Sequence, residues 1–321
     1  MIWIFSFARS GSTILLDFLA DLFGYNSIFE PFMKEPEKVK GHGDFEAVHD
    51  WFRGAPKLDR MNQFKIKNFY LGHIPVNEFN SAEIKPYKEK LKSYIKDIYH
   101  HYGSDTVVKC VRQQGNIKFI RAILDELGIK AGYILLKRNP FEAAYSYYRG
   151  GGLHRRSSWH VNQVFQYRKC MYEGETKELD VLFDRVKNPL DKLIVSILAD
   201  YRSFDESLGW LKNKGVYALN LNYEDFIEHP FDCSKTISSF FDIPVTGKKI
   251  RETVKTYDFN PSKITFSQLD PIYSYLARKS GKRLSEELSQ FLLTPRQVKK
   301  KLELWHVKCL LKNILPFIKV S

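Results

Sequence analysis

The sequence predicts an α/β fold: three layers, with a mostly parallel central sheet flanked by helices. Apolar runs of strand length recur at residues 2–5, 27–29, 106–111, 132–136 and 216–221. Segments of helical periodicity separate them, which is the pattern of strands joined by crossover helices. Arg9, Glu30, Arg112 and Arg138 each stand just past a predicted strand. In parallel sheets ligands sit outside the carboxyl ends of the strands, so these four residues point to one shared site.

The first run, Ile2-Trp3-Ile4-Phe5, is followed by a tight polar loop, Arg9-Ser10-Gly11-Ser12-Thr13. Leu15, Leu16, Phe18, Leu19, Leu22 and Phe23 then repeat near a 3.6 period and predict a helix. A strand, a small-residue loop and a helix N-terminus aim backbone N–H groups at an anion. Ser12 and Thr13 add hydroxyl donors, Arg9 adds a fixed charge, and Gly11 lets the backbone approach a phosphate. The motif lacks the Lys and the first Gly of the nucleoside-triphosphate loop. On its own it also fits an ordinary capped helix.

Residues 27–29 predict a second strand, ended by Glu30-Pro31, and residues 34–63 read as polar loops around a short helix. Helices are predicted over 81–102 and 117–127, the latter stopped by Gly128. After the strand at 132–136, Asn139 suits an N-cap and Pro140 a first helical residue. Gly150-Gly151-Gly152 ends that helix; with His154, Arg155 and Arg156 it forms a basic stretch suited to a lid or to a surface turn. Residues 157–212 read as mainly helical, and a helix is expected from about Glu224. We expect one domain over 1–295, with acceptor-site insertions in 34–105 and 150–215, and a basic amphipathic helical segment over 296–321. Residues 298–320 of that segment suit either packing on the domain or peripheral contact with an anionic membrane.

A chain of 321 residues, 44% hydrophobic and 27% charged, describes a soluble globular protein able to bury a sizeable core. Its net charge of +13 suits anionic ligands, without choosing among nucleotides, acidic saccharides, nucleic acid and membrane. Cys110, Cys170, Cys233 and Cys309 lie far apart, with no C-x-x-C, so neither a zinc site nor a disulfide framework is indicated. The apolar run after Met1 is too short for a signal peptide or membrane span, so a cytoplasmic protein is expected.

Ser146 stands eight positions after Arg138, on the helix that Pro140 opens. An Arg fork with a nearby hydroxyl suits a second phosphate, separate from the one at the Arg9 loop. These motifs carry a resemblance. The Arg-Ser-Gly-Ser-Thr loop is similar to the 5′-phosphosulfate loop of sulfotransferases. LLKRNPFEAAYSYYR resembles their 3′-phosphate motif, with Arg138 and Ser146 in the matching places. LNYEDFIEHPFDCSKTISSFFDIP, over residues 221–244, resembles their later strand-helix segment. With Arg9 where the cytosolic small-molecule branch carries Lys, the loop is closer to the carbohydrate and tyrosylprotein branches.

The resemblance implies a P-loop-containing sulfotransferase-like fold and a donor, 3′-phosphoadenosine 5′-phosphosulfate (PAPS), with adenosine 3′,5′-bisphosphate as product. The acceptor would be a hydroxyl of a saccharide or glycolipid; no metal and no nucleic-acid partner is expected. In-line displacement at sulfur needs cations at the leaving oxygen and a base at the acceptor. Arg9 is the first candidate cation and Arg112 the second; Lys109 is a rival within its strand, where a structural ion pair suits it better. Glu30 is the candidate base, with His100, His101 and His154 as alternatives; beside arginines it should stay ionised. Tyr223 is either a donor contact or a core tyrosine. Competing functions are a P-loop kinase using ATP and a non-catalytic polyanion-binding protein.

Overall fold

The computed structural model describes residues 1–7, 9–31, 74, 76–111, 113–150 and 189–259. The expectations for 34–73, for Arg112, for the glycine-rich stretch from 151 with His154, and for the C-terminal segment lie outside the described residues.

Five strands form one sheet among the described residues: β1 (Ile2–Ser6), β2 (Asn26–Phe29), β3 (Thr106–Cys110), β4 (Gly132–Lys137) and β5 (Ala218–Asn222). Their order is β2-β3-β1-β4-β5 and every pairing is parallel. β1 is central, with Ile4 opposite Lys109 on one side and Ile134 on the other. All five residues of β1 are buried. That burial explains why it reads as a continuous apolar run rather than as an alternation.

Successive strand residues face opposite sides of the sheet, and the two sides carry two cores. Trp3, Phe5, Val108, Tyr133 and Leu135 share one core with side chains of α2 (Lys85–Tyr102), α3 (Ile117–Glu126) and α5 (Pro189–Asn213). Ile2, Ile4, Val107, Ile134 and Leu136 share the other with α1 (Ser12–Phe23), α6 (Tyr223–Glu228), α7 (Pro230–Phe240) and α8 (Gly247–Thr256). The remaining helix, α4 (Pro140–Gly150), follows β4 and packs on α5. The predicted three-layer α/β arrangement is therefore present.

Two boundaries differ from the sequence expectation. The helix expected from residue 81 starts at Lys85: Ser81 Oγ accepts from the Ile84 N–H at 3.3 Å, and Pro86 occupies the first turn. The helix expected from Glu224 is two helices, because Pro230 lacks the N–H that would continue α6. Cys110 is buried, and Cys233, half-buried, is a free thiol. No helix among the described residues is long and apolar enough to cross a membrane.

Gly132, the first residue of β4, is a packing requirement. A Cβ there would stand 2.3 Å from the ring of Phe241, which closes the end of α7 over the sheet. Gly132→Ala should therefore lower unfolding free energy by about 1–3 kcal/mol, the usual cost of overpacking. Urea denaturation measures this, and ligand binding at the far end of the sheet should be unchanged.

Candidate active site

Four strand ends meet around one pocket of about 430 Å³. The β1–α1 turn and first helical turn contribute Arg9, Gly11, Ser12, Thr13 and Ile14; the end of β2 contributes Phe29 and Glu30. Lys109 and Val111 come from the end of β3, Arg138 from the exit of β4, and Ser146 from α4. Residues far apart in the chain thus line one cavity, on the side where parallel sheets bind ligands.

The turn after β1 is shaped by two left-handed residues, Arg9 with φ 70° and Gly11 with φ 81°. The Ser10 N–H donates to the Phe7 carbonyl at 3.2 Å, and the first α1 bond runs from the Leu15 N–H to the Gly11 carbonyl. The N–H groups of Ser12, Thr13 and Ile14 thus precede the helical ladder. No side chain caps this end and no acidic residue sits in the first turn. The helix dipole there is uncompensated, which favours an anion. Ser10 is fully buried and outside the pocket lining, with its hydroxyl next to Tyr201.

Gly11 has a second constraint. A Cβ on it would fall 1.9 Å from the ring of Tyr223, so part of the space its missing side chain leaves is filled by the protein itself. The same ring carries the Arg138 guanidinium, 4.7 Å from its centroid. Arg138 Nη1 donates to the Arg9 carbonyl at 2.8 Å, and Nη2 stands 3.7 Å from the Glu142 carboxylate. The backbone is clamped too: the Arg138 N–H donates to the Tyr201 hydroxyl at 2.7 Å, and that hydroxyl donates to the Arg138 carbonyl. Asn139 caps α4 through its side-chain oxygen, which accepts from the Phe141 N–H at 3.0 Å, with Pro140 as first helical residue. The Asn139 N–H donates to Glu224 at 2.9 Å. Burial pushes the Glu224 carboxyl up, and this N–H opposes the rise. Burial also pushes the Tyr223 hydroxyl up, against the Arg138 charge.

Glu30 lies on the pocket's other side, 1% exposed. Its N–H donates to the Lys109 carbonyl at 2.9 Å and prolongs the β2–β3 ladder by one residue. Its φ is 52°, although it precedes Pro31 and is not glycine. Residues before proline prefer extended backbone, so this turn is strained. Glu30 Oε2 accepts from the Val111 N–H at 3.2 Å, and Oε1 is 3.2 Å from Lys109 Nζ.

The structure therefore brings Arg9, Gly11, Ser12, Thr13, Glu30, Arg138 and Ser146 together, with Tyr223 behind them. His100 and His101 are exposed at the end of α2, at the amino-terminal entrance to β3 and so at the opposite end of the sheet. Sequence reasoning passes over the closeness of Lys109 to Glu30, and over Tyr201, Glu142 and Glu224 as supports of Arg138. Glu224 had a signal in the Tyr-Glu-Asp segment; Tyr201, inside a long helix, had none.

The Sulfotransferase domain family model matches residues 1–268. This chain belongs to the sulfotransferase family. It is a sulfotransferase by that membership, with the sulfotransferase-like α/β fold expected. Among curated proteins, none matches it. Similar solved structures include the sulfotransferase domain from the curacin biosynthetic pathway, at 15% identity over 78% of this chain and 76% of that one, with a TM-score of 0.40. The sulfotransferase domain of the Synechococcus PCC 7002 olefin synthase is 17% identical over 78% and 75%, with a TM-score of 0.37. A sulfotransferase from Alicyclobacillus acidocaldarius is 12% identical over 87% and 91%, with a TM-score of 0.39.

The Tyr223–Gly11 contact in this sulfotransferase predicts a non-additive pair. Gly11→Ala should destabilise by about 1–3 kcal/mol, from a methyl driven into the ring and from the positive φ. In a Tyr223→Ala background the same change should cost less, because only the backbone part remains. Urea denaturation of the four proteins of the cycle measures this; equal costs in both backgrounds would show that the ring does not press on Gly11.

Proposed function

We propose that this sulfotransferase takes its sulfuryl group from PAPS and transfers it to a hydroxyl of a saccharide or glycoconjugate. One observation carries the reading: a single pocket is lined by the Arg9–Thr13 turn, by Arg138 with Ser146, and by Glu30. Two separate anion-binding elements and one carboxylate match a donor with phosphate groups at two positions and an acceptor that must lose a proton.

In this reading the first turn of α1, with Gly11, Ser12 and Thr13, receives the 5′-phosphosulfate, and Arg138 with Ser146 receives the 3′-phosphate. Tyr223 supports both elements from behind. PAPS bound there would supply the sulfuryl group. Arg9 and, by its place in the sequence, Arg112 stabilise charge on the departing oxygen. Glu30 takes the acceptor proton. Among the described residues lining the pocket, Glu30 is the one that is acidic. The saccharide acceptor rests on the resemblance of the Arg9 loop to the carbohydrate branch and on the basic balance of the chain. Incubation with sulfur-labelled PAPS and a panel of glycans, glycolipids and phenols tests donor and acceptor together; label entering phenols alone would overturn the saccharide reading.

The 3′-phosphate assignment predicts a differential loss. Arg138→Ala removes a hydrogen bond to the Arg9 carbonyl as well as a ligand contact, so every nucleotide should bind somewhat more weakly. Adenosine 3′,5′-bisphosphate should lose a further ~1.5–3 kcal/mol relative to adenosine 5′-monophosphate, the worth of a charge-assisted bond. Calorimetry reads the difference, and equal losses would sink the assignment. Glu30→Gln should leave donor affinity nearly unchanged while turnover falls about 10²–10⁴-fold. A purely structural Glu30, the partner of Lys109, would instead show a modest loss of rate; a lower melting temperature accompanies either reading, because the change leaves Lys109 buried without the Glu30 charge.

A further inference from the structure

We infer that Lys109 is the positioning residue for Glu30, orienting its carboxylate towards the acceptor, rather than a cation for the donor. This rests on the proposed role of Glu30 as base. The ion pair is dry: the Lys109 side chain is 6% exposed and that of Glu30 1%. A carboxylate so far from water is costly unless it is paired. Here Oε2 accepts from the Val111 N–H at 3.2 Å, and Oε1 lies 3.2 Å from the Lys109 ammonium in an ion pair that lacks hydrogen-bond alignment.

Lys109 is itself fixed. Its backbone lies in β3, paired to β1 at Ile4 and to β2 at Phe29. Its ammonium lies 3.7 Å from the centroid of the Phe29 ring, the residue just before Glu30. Strand, ring and carboxylate hold the charge on three sides, and an ammonium held so firmly is poorly placed to follow a leaving group. The other described cations facing the pocket are Arg9, from the β1–α1 turn, and Arg138, from the exit of β4. Arg138 is turned to the Arg9 carbonyl, Glu142 and Tyr223.

The chemistry gives this pair a cycle. As the acceptor oxygen bonds to sulfur, its O–H breaks and the proton goes to Glu30, while the bisphosphate leaves with the electron pair. The protonated carboxyl then lies against a fixed positive charge, which favours return of the proton to solvent and resets the base.

The test uses Lys109→Met, Lys109→Arg and Glu30→Gln in the full chain. Lys109→Met should move the acidic limb of the kcat/KM profile upward by about one pH unit or more, because an opposite charge at this range favours the ionised carboxylate by that much. Donor KM should stay within about threefold, and Lys109→Arg should restore the limb. A second readout needs neither donor nor acceptor: the pH titration of the Glu30 carboxylate by carbon-13 NMR, its signal assigned by its loss in Glu30→Gln. It should shift in the same direction. An unmoved limb and titration in a folded Lys109→Met protein would overturn the inference. A raised donor KM with an unmoved limb would do the same and make Lys109 a donor cation. If Glu30→Gln keeps near-normal turnover, the base assignment itself fails, whatever Lys109→Met does. Should Lys109→Met fail to fold, Lys109→Gln carries the same comparison.

Discussion

The site depends on where one aromatic ring lies. Tyr223, the first residue of α6 after β5, covers Gly11 on one edge and carries the Arg138 guanidinium on its face. Three strand ends are tied at that point: β1 through its turn, β4 through Arg138 and β5 through Tyr223. Arg138 passes the constraint on through its bond to the Arg9 carbonyl. The glycine in the turn is therefore required twice, by a φ of 81° and by a ring that leaves no room for a Cβ. The turn that receives an anion and the arginine that receives a second one are parts of a single packed unit.

Backbone strain is placed at the same pocket. Among the described residues three that are not glycine have positive φ, namely Arg9, Glu30 and Asp242. Two of them line the site. Such conformations cost on the order of 1–3 kcal/mol each and persist where the surroundings over-determine them. Glu30 is held by its own N–H in the ladder, by the Val111 N–H on its carboxylate and by the Lys109 ion pair, Arg9 by the Arg138 bond to its carbonyl. Glycine would relieve the backbone at either position and remove the charged group the site uses.

The three inner strands were legible because strands buried on both faces read as near-continuous apolar runs, and the two edge strands β2 and β5 from shorter apolar stretches; all five were found within two residues. Arg9, Glu30, Arg138 and Ser146 were legible because they stand at strand ends or one helical stretch beyond, where a parallel sheet assembles its ligand site. For Lys109 the sequence indicated a structural ion pair but not its partner: alternation assigns it a face of the sheet and gives no measure of how far a long side chain near a strand's end extends over the edge. The contacts of Tyr201 and Glu224 with residues 138 and 139 were hidden for another reason: they span 63 and 85 positions, and although Glu224 lies in the Tyr-Glu-Asp segment, no local pattern reports its partner. The helix starts at 85 and 230 were readable from Pro86 and Pro230, had their N–H deficit been weighed against the apolar periodicity.

The parallel order has a consequence for how the molecule comes into being. Parallel neighbours cannot be joined by a tight turn, so the contacts that make the pocket have high sequence separation and form only after long loops close. The Arg9 turn emerges first during synthesis, yet the ring that packs against it belongs to residue 223. Until β5 docks beside β4, the nascent chain has an uncovered glycine turn and an arginine without its platform. Maturation of the anion site is therefore a late folding event, coupled to closure of the last sheet edge rather than to the appearance of the motif that marks it.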